Sequence, residues 1–181
     1  MDNAFSRWAA RWRVPLGFAT GIAYLILARP TVRLLTAGAA VALLGLIVRG
    51  YAAGCVDKNQ SLATAGAYAY TRNPLYLGSC LVGAGFALAG NSWIVAALFG
   101  ALFAIVYWPV MRREEDFLRR RFGDEYDRYA RKAPFFLPTR GKAVDSARGF
   151  RWRRYRQNRE YEALLGYAVA VLLLALKMIL R

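Results

Sequence analysis

Polar and apolar positions along this chain are sorted into long blocks. From Asn73 to Met111, 39 consecutive residues include no Asp, Glu, Lys or Arg. As one helix this stretch would run about 58 Å, whereas a bilayer's hydrocarbon core is about 30 Å thick. It must fold back, and Gly90-Asn91-Ser92 is the polar, helix-weak cluster near its middle. Two short antiparallel spans are predicted, roughly 75–89 and 93–111.

Three further apolar runs qualify as spans. They are Val14 to Ala28, bounded by Arg13 and Arg29; Leu34 to about Cys55, interrupted by Arg49; and Ala163 to Leu180, with Lys177 near its end. All are short, and snorkelling of Arg49 and Lys177 toward headgroups would lengthen the last two. Gly17 and Gly21 form a Gly-x-x-x-Gly pattern that reads as close helix packing within the chain. The expected fold class is all-α: a polytopic helical membrane protein with about five transmembrane helices, the first of them the weakest. Leu27-Ala28-Arg29-Pro30 makes a poor signal-peptide cleavage site, so the first span is expected to be retained.

After Met111 the chain turns charged. Glu115 with Arg119, Asp116 with Arg120, Asp124 with Arg128 and Asp127 with Arg131 are i, i+4 pairs in the favourable order, predicting an amphipathic helical continuation. Leu118, Phe122, Tyr126 and Tyr129 share one side of it, a stripe suited to the bilayer surface or to covering the ends of the spans. Pro134 and Pro138 end this helix around Phe135-Phe136-Leu137, expected to dip toward lipid. A polar linker, 139–149, leads to Arg151–Arg159, where five arginines mix with Trp152 and Tyr155 in a pattern suited to anionic headgroups.

The formal net charge of +15 would in a soluble protein raise the question of nucleic acid. Here its placement is more informative. With five spans and a cytoplasmic N-terminus, 22 basic residues face the cytoplasm and four (Arg29, Arg33, Lys177 and Arg181) face outward. The positive-inside rule demands that orientation, so the charge reads as topology and anionic-lipid contact, with no nucleic-acid partner. The chain has no His and two isolated Cys, which removes the usual soft metal ligands and any imidazole-based acid–base scheme. Neither a metal site nor a disulfide is expected.

Candidate chemistry gathers in the loop after the second span. Asn73-Pro74 makes a good N-cap and first helical residue, and Tyr68, Tyr70 and Tyr76 suit an interface belt, so each has a structural reading. The hairpin returns the chain to the side it left, bringing Arg72 and Glu114 near each other. A carboxylate beside aromatics and a helix N-terminus suits a cationic or zwitterionic small molecule.

At these residues the chain resembles a known family. Gly66-x-Tyr68-x-Tyr70-x-Arg72-Asn73-Pro74-x-Tyr76-x-Gly78, then Arg113-Glu114-Glu115-x-x-Leu118, then Phe122-Gly123-x-Glu125-Tyr126-x-x-Tyr129, Pro134 and Pro138 look like the isoprenylcysteine carboxyl methyltransferase and phospholipid methyltransferase superfamily. The resemblance covers roughly Lys58 to Pro138. It divides a single membrane domain, 1–181, into two leading spans (1–57), a family-like core (58–138), and a basic linker with the last span (139–181).

The resemblance implies methyl transfer from S-adenosylmethionine to a lipid or prenylated acceptor at the cytoplasmic face of a bacterial or archaeal plasma membrane. It carries cofactor contacts onto Gln60, Ser61, Leu62, Ala63, Tyr68, Asn73, Pro74, Leu75, Tyr76 and Glu114, and catalytic roles onto Arg72, Arg113 and Glu114. Two positions depart from the family pattern. Its usual His is Asn73, which can hydrogen-bond but cannot take a charge. The Arg that prenylcysteine-specific members place four residues before the cofactor-site Glu is Val110, so the acceptor is left between a carboxylate and a phospholipid headgroup amine. Other classes remain to be weighed: a nicotinamide-dependent membrane reductase, and a non-enzymatic protein that binds anionic lipid.

Overall fold

The computed structural model describes residues 4–57, 61–139 and 149–180, and every regular element among them is helical. Three helices are long and apolar enough to cross a bilayer: Val32–Cys55, Trp93–Phe122 and Tyr161–Ile179. Two shorter apolar helices, Val14–Leu27 and Pro74–Ala89, complete the set of five apolar runs.

Helix α1 (Ala4–Leu27) begins well before the first apolar run and contains Pro15. Pro30 disfavours helical backbone at Arg29, and the chain turns there. The Arg29 amide donates to Gly90 O at 2.7 Å. The Lys177 ammonium, near the end of the last apolar run, donates to Leu25 O (2.5 Å) and Ile26 O (2.9 Å), satisfying carbonyls that the end of α1 leaves open.

Helix α2 (Val32–Cys55) is capped by Thr31, whose hydroxyl accepts from the Leu34 amide. It packs on α3 (Pro74–Ala89) backbone to backbone. Gly38 and Gly45 on α2 face Gly85 and Gly78 on α3, a seven-residue spacing on each helix. A Cβ at Gly45 would sit 2.6 Å from Gly78 O, and one at Gly85 2.4 Å from Ala42 N. Small residues allow such an approach, and it substitutes for the hydrophobic drive that lipid does not supply between helices.

The turn at Gly90-Asn91-Ser92 forms as expected, with Asn91 at φ 46°. Helix α4 (Trp93–Leu102) then runs through a π-helical segment, Phe103–Tyr107, into α5 (Trp108–Phe122). Pro109 has no N–H to close an α-helical bond onto Ile105, and the widened turn lies across that gap.

The predicted amphipathic continuation is two helices rather than one. Gly123, at φ 49°, breaks it before α6 (Asp124–Ala130). Arg119 therefore pairs across the break with Asp127 (2.9 Å) rather than with Glu115, and Arg128 donates to the Asp124 carbonyl. Phe135 and Phe136 pack on Trp108 and Phe103, while Leu137 is exposed.

Helix α7 (Trp152–Gln157) and α8 (Tyr161–Ile179) are separated by Arg159 at φ 55°. The basic stretch is not only a headgroup surface, because Arg154 is buried and pairs with Asp57 at 2.5 Å. Asn158 donates to Ala53 O at 2.8 Å, closing the end of α2. Arg49 has protein partners as well: its guanidinium binds Glu160 through two nitrogens (3.1 and 2.9 Å) and donates to Ser79 on α3.

Candidate functional site

The α2–α3 loop is held by α6 and the segment that follows it. The Arg72 amide donates to Pro134 O (2.9 Å), Thr71 Oγ1 to Phe136 O (2.8 Å), and the Tyr129 hydroxyl to Tyr68 O (2.7 Å). Asn73 occupies the N-cap position of α3 ahead of Pro74, but its side chain makes no cap bond. Its amide instead donates to Phe135 O at 2.8 Å, so Asn73 joins loop to loop.

Between this loop and α5 lies a cavity of about 380 Å³. Ser61, Leu62, Ala63 and Tyr68 line it from the loop, and Arg72, Asn73, Pro74, Leu75 and Tyr76 from the start of α3. Glu114 lines the opposite wall. Gln60 lies outside the described residues, and Arg113, half-buried on the same turn as Glu114, is not among the lining residues.

The two consecutive glutamates have different surroundings. Glu115 is 7% exposed and accepts from Arg72 Nη1, from Arg112 Nη1 at 3.1 Å and from the Tyr126 hydroxyl at 3.0 Å. Glu114 is exposed and accepts from the Tyr76 hydroxyl at 2.8 Å. The hairpin does bring Arg72 to this rim, but its ion-pair partner is Glu115 rather than the expected Glu114. Arg72 Nε is buried with no hydrogen-bond partner among the described residues.

Sequence reasoning passed over several lining residues. Asp57 lines it too, beside Arg154, whose hydrogen bond holds the Asp57 carboxyl below the usual carboxylate range, with Arg153 and Arg151 adding to the effect. The available signal was its isolation, since Asp57 is the sole acidic residue between Asp2 and Glu114. Arg121 and Phe117 line the cavity from α5. The stripe Leu118, Phe122, Tyr126 and Tyr129 also turns into it rather than onto the bilayer surface. Burial drives the phenols of Tyr68 and Tyr129 upward and pushes Tyr126 to about 12, with the Glu115 charge adding to the last. All three are neutral donors at ordinary pH.

Fold and site together define a helical integral membrane protein with a pocket of mixed charge at one end of its bundle. Residues 32–125 match the phospholipid methyltransferase family, and the chain belongs to that family. It is 35% identical over 135 residues to the cobalt-zinc-cadmium resistance protein CzcN of Cupriavidus metallidurans, a match covering 74% of this chain and 54% of that protein. Over 81 residues it is 37% identical to the nickel-cobalt-cadmium resistance protein NccN of Alcaligenes xylosoxydans xylosoxydans, covering 45% of this chain and 38% of that one. Over 82 residues it is 30% identical to the protein-S-isoprenylcysteine O-methyltransferase of Schizosaccharomyces pombe, covering 45% of this chain and 35% of the relative. The chain thus spans about half the length of these curated relatives, or less. No solved structure matches it.

Proposed function

We propose that the pocket between the α2–α3 loop and α5 binds S-adenosylmethionine, and that the protein methylates a lipid-like acceptor at the cytoplasmic face of a bacterial or archaeal plasma membrane. The observation that carries this is the joining of Arg72, Glu114 and Tyr76 in one pocket within the stretch that matches the family. The excess of basic residues on that side of the five-span topology supports the cytoplasmic placement.

The pocket's donor set fits the cofactor. Arg72, with Nε unsatisfied, suits a carboxylate; Glu114 suits a cation; Leu62, Leu75 and Leu118 offer apolar surface. When bound, the cofactor supplies a methyl group already activated on a sulfonium. The protein's own contribution is then alignment and exclusion of water. Tyr76 orients the Glu114 carboxylate, and Glu115 fixes Arg72 from behind. A carboxylate acceptor needs no base. An amine acceptor loses a proton, and Glu114, exposed on the rim, is placed to take it at a carboxylate oxygen.

One observation favours the amine. Val110 is buried in an apolar cluster with Val106, Leu16, Tyr76 and Tyr107, so no cation pairs an acceptor carboxylate from that position. Incubation with labelled S-adenosylmethionine and either total lipid extract or prenylcysteine analogues decides between label in a headgroup amine and label in a base-labile ester. If S-adenosylhomocysteine gives no calorimetric binding to the detergent-purified protein, and Glu114→Ala alters nothing, the methyltransferase reading is wrong.

A further inference from the structure

A second cavity, of about 790 Å³, lies within the apolar part of the bundle, between α1, α2, α3, α4 and α8. Its walls are apolar and in places deliberately empty: a Cβ added at Gly17, Gly21 or Gly166 would meet nothing within 4 Å. The Gly-x-x-x-Gly pattern of α1 therefore makes space here rather than a helix contact. Two of the residues lining the cavity are Arg49 and Ser79.

A charged side chain inside a membrane span is costly and calls for a function. Arg49 reaches across Gly78, where a Cβ would stand 2.5 Å from Arg49 Cγ, to bind Ser79 and Glu160. Among the described residues these contacts use three of its five N–H donors, and a guanidinium has no acceptor. Glu160 neutralises its charge, so the remaining donors call for a neutral oxygen rather than a second anion. Arg49 stands six residues before Cys55, about 9 Å along α2 from its pocket end. The seam between the two cavities is Tyr76, which lines the first, packed against Tyr107, which lines the second.

A polar pocket, a neutral-acceptor site just below it and an apolar cavity beyond follow the order of parts in one kind of molecule. We infer that Arg49 is a recognition site for the ester carbonyl of a glycerophospholipid whose chains occupy the intramembrane cavity and whose headgroup reaches the pocket past Tyr76 and Tyr107. The inference rests on the proposed function only for what happens to that headgroup. The chains satisfy the apolar walls, and the carbonyl satisfies donors that hydrocarbon could not.

The test uses two probes, dioleoyl phosphatidylethanolamine and its diether counterpart, which differ only in the carbonyls. Full-length protein in detergent is loaded with each and lipid retention is read by native mass spectrometry, without cofactor. The expected result is about tenfold tighter retention of the diester, the weight of one hydrogen bond from a charged donor. Arg49→Gln should abolish the preference, and Gly166→Leu should weaken both lipids equally by filling the cavity. Equal retention of diester and diether by the unaltered protein overturns the inference, as does equal or tighter retention of a farnesylcysteine ester. Calorimetric binding of S-adenosylhomocysteine, run in parallel, reports on the methyltransferase reading alone.

Discussion

Tyr76 and Tyr107 meet edge to face, with ring centroids 6.2 Å apart and planes inclined at 71°, where the two cavities adjoin. Tyr76 spends its hydroxyl on Glu114, whereas Tyr107 stacks on Phe103 one turn earlier. Tyr107→Leu should therefore leave S-adenosylhomocysteine affinity within about twofold while raising KM for the acceptor about tenfold or more, the scale of one aromatic contact plus its buried area. Calorimetry with the first ligand and initial rates with the second measure the split, and parallel loss of both would place Tyr107 in the cofactor site.

The paired glutamates should separate stability from activity. Glu115→Gln removes the charge that compensates the half-buried Arg72, at a cost of about 2 kcal/mol. Glu114→Gln keeps an oxygen acceptor for the Tyr76 hydroxyl, so its thermal midpoint should hold while methyl transfer falls about 100-fold. Thermal unfolding in detergent and labelled-methyl assays check the two, and a stable, inactive Glu115→Gln would reverse the assignment.

The α2–α3 glycines predict a graded series. Gly45→Ala and Gly85→Ala drive a methyl into main-chain atoms of the facing helix and should destabilise by about 1–3 kcal/mol. Gly100→Ala meets nothing within 4 Å and should be neutral or stabilise by up to about 1 kcal/mol. Thermal midpoints of the three variants side by side provide the comparison.

Two groups outside the spans contribute to the pH response in opposite senses. Asp57 has its carboxyl lowered by Arg154, so the stability it adds is complete above its unfolded value of about 4 and is lost as pH falls through the folded one. Tyr126, raised to about 12, behaves in the opposite sense. Its contribution is complete below about pH 10 and is lost as pH rises toward 12. Arg154→Gln should flatten the acid limb of the unfolding midpoint and Tyr126→Phe the alkaline limb. An unchanged limb in either variant would show that its group is not the one titrating.

Much of the architecture was legible because uncharged runs of this length admit few solutions. Gly90-Asn91-Ser92 marked the hairpin turn, and Arg72-Asn73-Pro74 marked the start of α3 at the pocket. Which glutamate faces Arg72 was not legible. Adjacent residues on a helix point about 100° apart, and the π segment at Phe103–Tyr107 adds a residue that rotates everything after it by about that angle. Counting at 3.6 residues per turn through α4 therefore misphases α5. The Asp57–Arg154 and Arg49–Glu160 pairs join residues about a hundred positions apart, and Gly123, read only as part of the Phe122-Gly123 motif, splits the amphipathic helix through its positive φ.

The apolar part of α1, Val14–Leu27, is about 21 Å long, well short of a bilayer's hydrocarbon, and its exposed Phe18 and Ile22 line the second cavity. Thinning of the bilayer along so short an apolar face would lower the cost for a lipid to leave the annulus for the space beside Gly17 and Gly21. On that account the short apolar face of α1 would act as a local press on the bilayer, favouring entry to the cavity from the side. In vesicles of graded acyl length, turnover should fall as the chains lengthen at constant headgroup composition, and a flat response would remove the press from the account.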